Sequence, residues 1–193
     1  MYSYSGRTIS GEVKNCADIC NCEFIECVFE DCQFTDCAFI NCTFSECVFV
    51  RCSITNPRVE NTGMMFSSFT DCTLVGIRWS GFSGGSLAFP VQKFEKCFLK
   101  YNDFEKMNFK QFDFMRSSVV DSAFSGCNLG ESSFNGCDLK NTEFHGCNLK
   151  KCDFRAATGY NLQLTENSVK GARFSAKEAV RLLTAFEIKL EDF

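Results

Sequence analysis

The chain has 193 residues, 45% of them hydrophobic and 23% charged, a balance that fits a core-forming chain and excludes a disordered one. Its net charge of −4 argues against a basic nucleic-acid-binding surface, and its single histidine excludes a histidine pair or a multi-histidine metal site within one chain. No apolar run reaches the length of a membrane span.

Residues 1–15, MYSYSGRTISGEVKN, carry no apolar stretch of the secretory kind and are expected to cap the next coil with Tyr2, Tyr4, Ile9 and Val13. From Ile19 to Phe154 every fifth residue is apolar, as in Phe24, Phe29, Phe34, Phe39, Phe44 and Phe49. Among these 28 positions only Gly84 departs. A second column lies two residues earlier and holds thirteen of the 15 cysteines, from Cys22 to Cys152. Ala17, Thr62, Ser67, Ser117, Ser122, Ser132 and Thr142 fill other members of it.

A period of five fits neither a helix nor a flat strand. It fits a coil that turns a corner every five residues, pointing one large and one small residue inward from each side. Four sides return the chain above its start after about 20 residues, with a rise of about 4.8 Å set by backbone pairing between coils. The odd number of cysteines excludes a fully paired monomer, so reduced thiols in a cytoplasmic protein are expected.

Eight residues break the small column: Pro57, Ile77, Phe82, Leu87, Gln92, Asn102, Met107 and Phe112. Seven of them fall within 77–112, alongside Gly81, Gly84 and Gly85. Two regular arms, about 16–76 and 113–157, are therefore expected to meet at an irregular middle with a bend around Ile77, Trp79 and Gly84. Because the five-residue register survives the middle, where an insertion of one or two residues would break it, no long inserted loop is expected there. The segment 158–193 should cap the other end. Ser175-Ala-Lys-Glu178 reads as a capping box opening a short helix. Ala179, Leu182, Leu183 and Phe186 follow at helical spacing, and Ile188, Leu190 and Phe193 extend the apolar surface. That is more apolar area than one terminal turn needs, so the first four residues are assigned to a homodimer contact.

Chemistry finds little purchase. His145 falls just after the inward Phe144 and lacks a nucleophile motif beside it. Cys16, Cys20 and Cys22 come nearest to a ligand cluster, but a spacing of five is not that of a zinc site, and Cys22 belongs to the inward column. GFSGGS at 81–86 lacks the Lys-Ser/Thr ending of a phosphate loop. The sequon Asn41-Cys-Thr43 places Cys42 inward. No catalytic residue, metal or cofactor is expected. Charge is the one functional clue. Residues 16–76 hold nine acids against Arg51 and Arg58, net −7, while residues 77–193 hold 14 acids against 16 bases, net +2. Glu26, Glu30, Asp31, Asp36, Glu46 and Asp71 are the candidate partner-binding carboxylates of this acidic arm, although acids also keep a Phe-rich rod soluble.

CEFIE, CVFED, CQFTD, CAFIN, CTFSE, CNLGE, CDLKN, CNLKK and CDFRA make residues 16–157 resemble the pentapeptide-repeat proteins. The resemblance implies an all-β, right-handed quadrilateral β-helix, here with an irregular middle and a short C-terminal α-helix. CDFRAATGYNLQLTENSVKGARFSAKEAVRLL further resembles the C-terminal segment of the Qnr-type fluoroquinolone-resistance group, which ends in a dimerising helix. Gly-Ile-Arg-Trp around Trp79 is similar to that group's central hinge. The two protruding loops of many of its members have no obvious counterpart. This likeness implies a non-catalytic, DNA-mimicking partner of a type II topoisomerase, DNA gyrase or topoisomerase IV, protecting it from quinolones or peptide toxins. No direct nucleic-acid or membrane contact is expected. The alternative is a scaffolding solenoid with another protein partner.

Overall fold

The computed structural model describes residues 1–82, 90–114 and 116–183. Short strands stack in parallel at a 20-residue offset, and four stacks make the four faces of a β-solenoid of about eight turns. The first face holds Tyr2–Ser5, Cys22–Ile25, Thr43–Ser45 and Gly63–Met65. The second holds Thr8–Ser10, Val28–Glu30, Val48–Val50, Ser67–Thr70 and Val91–Glu95. The third runs from Val13–Asn15 to Ser118–Val120. The fourth begins with Asp18–Cys20, Ala38–Ile40 and Arg58–Glu60. Asp103–Glu105, Ala123–Ser125, Glu143–His145 and Asn161–Leu162 form the stack that continues it past the middle.

The corners reveal a third sequence column. Among the described residues, 22 non-glycine residues have φ between 45° and 68°, recurring every five residues at Asn21, Glu26, Asp31, Asp36 and onward. No Val, Ile or Thr is among them, since a β-branched side chain is poorly tolerated in left-handed backbone. Asn, Asp and Gly tolerate it best, which accounts for the polar residues that follow each inward pair. At the Gly76 corner φ is 68°, and a Cβ there would lie 2.2 Å from Oδ1 of Asn56, so any other residue would require the Asn56 side chain to move.

Both inward columns form as the spacing predicts. Phe29 stacks on Phe49 and Phe49 on Phe69, each at 4.7 Å between ring centres, and Phe104 stacks on Phe124 at 4.5 Å. Beside the rings the thiols donate to backbone carbonyls. Cys47 Sγ meets the carbonyls of Phe24 and Ser45 at 3.4 and 3.6 Å. Ser132 replaces the thiol by donating to the Phe109 carbonyl at 2.6 Å. Burial pushes the Cys47 thiol up to about 11 and those of Cys137 and Cys152 up to about 12, which keeps them protonated and unreactive. Twelve cysteines are buried, Cys20 and Cys22 are half-buried and Cys16 is exposed. A thiol reagent is therefore expected to label about three groups in native buffer, and all 15 after unfolding. Rapid native labelling of most of the thiols would contradict this core.

The amino-terminal end differs from a separate cap. Residues 2–15 form three sides of a further coil, with Tyr4 in register with Phe24 and Ile9 with Phe29. Tyr4 and Ile9 pack on the core, whereas Tyr2 and Val13, also expected to cover it, are exposed. The period was masked because Lys14 occupies the centre position opposite Phe34. Lys14 lines the open mouth of the solenoid with Tyr4, Ile9 and Ile19 and pairs with Glu12 at 3.0 Å. A charge at an open strand edge discourages pairing with another copy. Replacing Lys14 with Ile is expected to produce end-to-end association at tens of micromolar or below, detectable by light scattering, and an unchanged mass would refute that role.

In the middle, the solenoid carries one extra pentad. Phe69 pairs with Phe94, Leu74 with Leu99 and Arg78 with Asp103, offsets of 25 instead of 20. Five extra residues therefore lie between Trp79 and Phe94, in a stretch containing residues 83–89, which are outside the described residues. An insertion of one full repeat leaves a period of five intact, so the register could not reveal it. The irregular column positions now have local reasons. Gln92 bulges outward and Val91 turns inward instead, at the register shift opposite Ser67 and Ser68. Asn102 accepts the indole N–H of Trp79 at 3.1 Å and donates to the Leu74 carbonyl at 2.9 Å, satisfying a buried ring that a thiol would serve less well.

Candidate partner-binding surface

The acidic residues follow from the corner geometry. Glu26 and Glu46 are successive residues of the corner between the first and second faces, and Asp31 and Asp71 belong to the next corner. Asp36 lies on the third corner. All five are exposed, while Glu30, at the end of its strand, is half-buried. Two carboxylate rows thus border the second face, whose outward side chains are the half-buried Val28, Val48, Val50, Ser68 and Thr70.

The rows are not uniformly free. Arg51, between Asp31 and Asp71 on its corner, donates to Asp31 at 2.8 and 2.9 Å and also pairs with Glu30. The hydrogen bond from Arg51 holds the Asp31 carboxyl below the usual aspartate range. Asp36 accepts from the Asn56 side chain at 3.2 Å. Glu26, Glu46 and Asp71 have no side-chain partner among the described residues. They are the most available charges of the six.

Other predicted sites resolve differently. Ile77 and Trp79 sit inside the core, with Trp79 stacked on Phe104 at 6.0 Å and edge-on to Phe69 at 5.5 Å. Gly84 lies outside the described residues. The helix α1 spans Ala176–Leu183, where the capping pattern places it. The Ser175 hydroxyl does not close a capping box: it accepts the Ala156 amide at 2.7 Å and so ties the helix entry to the body. Leu182 is buried against its own solenoid, Ala179 and Leu183 are half-buried and Val180 is exposed. Phe186, Ile188, Leu190 and Phe193 lie outside the described residues.

Sequence reasoning missed two polar clusters. His145 bridges Glu143 at 3.1 Å and Glu166 at 3.2 Å, and these bonds raise its pKa, Glu143 contributing most. Asp153, nearly buried, binds Arg155 at 2.8 Å and Arg173 at 3.0 Å, and the Arg155 bonds lower its pKa. Spacing alone signals neither, because each joins one coil to the next. No group of three or more His, Cys, Asp or Glu suited to a metal occurs among the described residues. Nor is any described helix long and apolar enough to cross a membrane.

A family model for pentapeptide repeats, in eight copies, matches residues 15–59, and one for a pentapeptide repeat region matches residues 89–164. The chain belongs to the pentapeptide-repeat proteins. Its structure is similar to that of full-length QnrB1, a plasmid-mediated fluoroquinolone resistance protein, with a TM-score of 0.55 at 18% identity over 96% of this chain and 100% of that one. A trypsin-treated variant of QnrB1 aligns with a TM-score of 0.51 at 20% identity, covering 98% of each chain. No curated protein matches the sequence.

Proposed function

We propose that the protein is a non-catalytic binding protein whose acidic arm imitates DNA and engages a type II topoisomerase, DNA gyrase or topoisomerase IV. The observation that carries this reading is charge density along the rod. Residues 16–76 make about three coils, or roughly 14 Å at a rise of about 4.8 Å. Their net −7 then amounts to about one charge per 2 Å of axis, close to the roughly one per 1.7 Å of duplex DNA. The left-handed corners lift Glu26, Glu46 and Asp71 clear of the wall, where a basic DNA-binding saddle could reach them. The likeness to QnrB1, together with the Qnr-type C-terminal sequence, favours protection against a quinolone or a peptide toxin. In this reading the protein acts in the cytoplasm, where a reducing environment keeps its buried thiols unpaired. In this reading residues 2–15 add a first coil, the segment from 158 onward closes the opposite end, and the region of Ile77 and Trp79 sets the angle between the arms.

A supercoiling assay with purified gyrase and a fluoroquinolone tests it. Restored supercoiling at stoichiometric protein supports the proposal. No binding and no protection would favour a scaffold for another partner. The same reading includes a homodimer through Ala179, Leu182, Leu183 and Phe186. Because Leu182 already serves the monomer's own core, Leu183→Asp alone is the cleaner probe. It is expected to convert a dimer to a folded monomer in light scattering. A wild-type monomer at micromolar concentration would reduce the helix to a cap.

A further inference from the structure

The insertion leaves a mark on the wall that charge mimicry does not use. On the corner between the first and second faces, Glu26, Glu46 and Phe66 follow one another coil by coil, and Gln111, Glu131 and Lys151 continue the line beyond the middle. Between Phe66 and Gln111 the regular corner is absent. Pro90, Val91 and the bulged Gln92 pass there without a left-handed residue, and the register shifts. A cleft of about 520 Å³ opens at this place, within the usual range for small-molecule sites.

Its lining joins two chemistries. The apolar part comprises the Phe66 ring at the rim, with Val91, Phe94 and Phe112 beneath. Phe66 is 39% exposed and makes no ring contact among the described residues. Its φ of 51° is that of the regular corners, as is that of the exposed Tyr101 at 56°. Elsewhere on this corner line stand Gly6, Glu26, Glu46, Gln111, Glu131, Lys151 and Gly171, so an exposed ring at this place is not what the corner itself calls for. The polar part contains Lys93, Lys110, Arg116, Gln111, Glu95 and Asp113. Lys93 is paired with Glu95, and Asp113 has an interaction of its own. Arg116 also acts by its charge on Glu95, but neither it nor Lys110 forms an ion pair among the described residues, and three cations against two carboxylates leave the lining net positive beside an open aromatic face.

We propose that this notch is a binding site for a small planar aromatic anion, an aryl carboxylate whose ring lies against Phe66 and Phe112 and whose carboxylate meets Arg116 and Lys110. A guanidinium fork suits a carboxylate, and a ring against Phe66 would remove from water a face that no described residue stacks on. The site lies where the last coil of the acidic arm, which supplies Phe66, meets the middle, and its occupancy does not depend on the topoisomerase reading.

The test uses the full chain, with 2-naphthoate as probe and its neutral analogue 2-naphthamide for comparison, followed by amide chemical shifts in NMR. Saturable shifts centred on Phe66, Gln92, Lys110 and Arg116 are expected, with the amide binding at least about tenfold more weakly. Arg116→Glu and Phe66→Ala should each weaken naphthoate by about tenfold or more. Lys151→Glu, on a regular part of the same corner, should leave it unchanged. Both test positions are exposed, and their folded state is checked in the same spectra. Equal affinity for acid and amide, shifts centred elsewhere, absence of saturation, or indifference to Arg116→Glu would each overturn the assignment.

Discussion

Replacing Phe124 with alanine is expected to cost about 3–5 kcal/mol, the usual range for a buried phenylalanine that leaves a cavity. Phe124 is fully buried and lies between Phe104 and Phe144, at 4.5 and 5.1 Å, with Phe109, Phe114 and Phe134 around its edges. A solenoid coil is held mainly by its neighbours, so the loss falls on adjacent coils together and the wall cannot collapse inward to fill the space. Phe44, stacked on Phe24 at 5.1 Å, should behave alike in the acidic arm. Ser45, its outward neighbour, should tolerate alanine within about 0.5 kcal/mol. Chemical denaturation of the three variants checks the set, and comparable losses at Phe44 and Ser45 would refute the inward and outward assignment.

Reversing Glu26 and Glu46 to lysine is expected to weaken topoisomerase binding by about tenfold or more, mainly through a slower association rate. Each reversal moves the arm by two charges, and the pair removes more than half of its net −7. The wild-type affinity should fall steeply with salt, and the double variant less steeply. Folding should be spared, because Lys96, Lys106 and Lys151 already adopt the same left-handed corner conformation, with φ of 54° to 58°. The choice of control depends on the structure. Asp153 lies in the mixed-charge arm, but it is nearly buried between Arg155 and Arg173, so reversing it would break a clamp instead of testing a surface. Glu131→Lys is the better control, an exposed corner on the same line beyond the middle. Binding without salt dependence, or equal indifference to both reversals, would rule out mimicry by this arm.

What could be read in the sequence was what repeats. An inward side chain every five residues, with a small one two places before it, suffices to place Phe24 beneath Phe44 and Cys27 beneath Cys47, because a side chain's direction is set locally by the pleat and the corner. The corner column was equally open to reading: Asn21, Asp31, Asp36, Asn41 and Gly76 share one phase, and their residue types report left-handed backbone. The same phase carried the acidic rows, since the corner is where a charged side chain meets water. The first coil escaped because one residue, Lys14, replaced the apolar signal at an open end.

The remaining features depend on contacts between coils, which periodicity does not encode. A five-residue insertion keeps the phase and changes only the partner, so pairing of Phe69 with Phe94 required the stacked backbone. The Trp79–Asn102 bond and the Asp153 clamp join residues 20 or more apart, and Arg51 neutralises part of the acidic arm from one coil away. The sequence by itself determined the coil, its inward columns and the sign of its charge, because these follow from one short repeat. Only the tertiary structure decided which coil meets which, which carboxylates remain unpaired, and where the wall opens beside Phe66, because those depend on contacts between coils and on how an extra pentad is absorbed between regular ones.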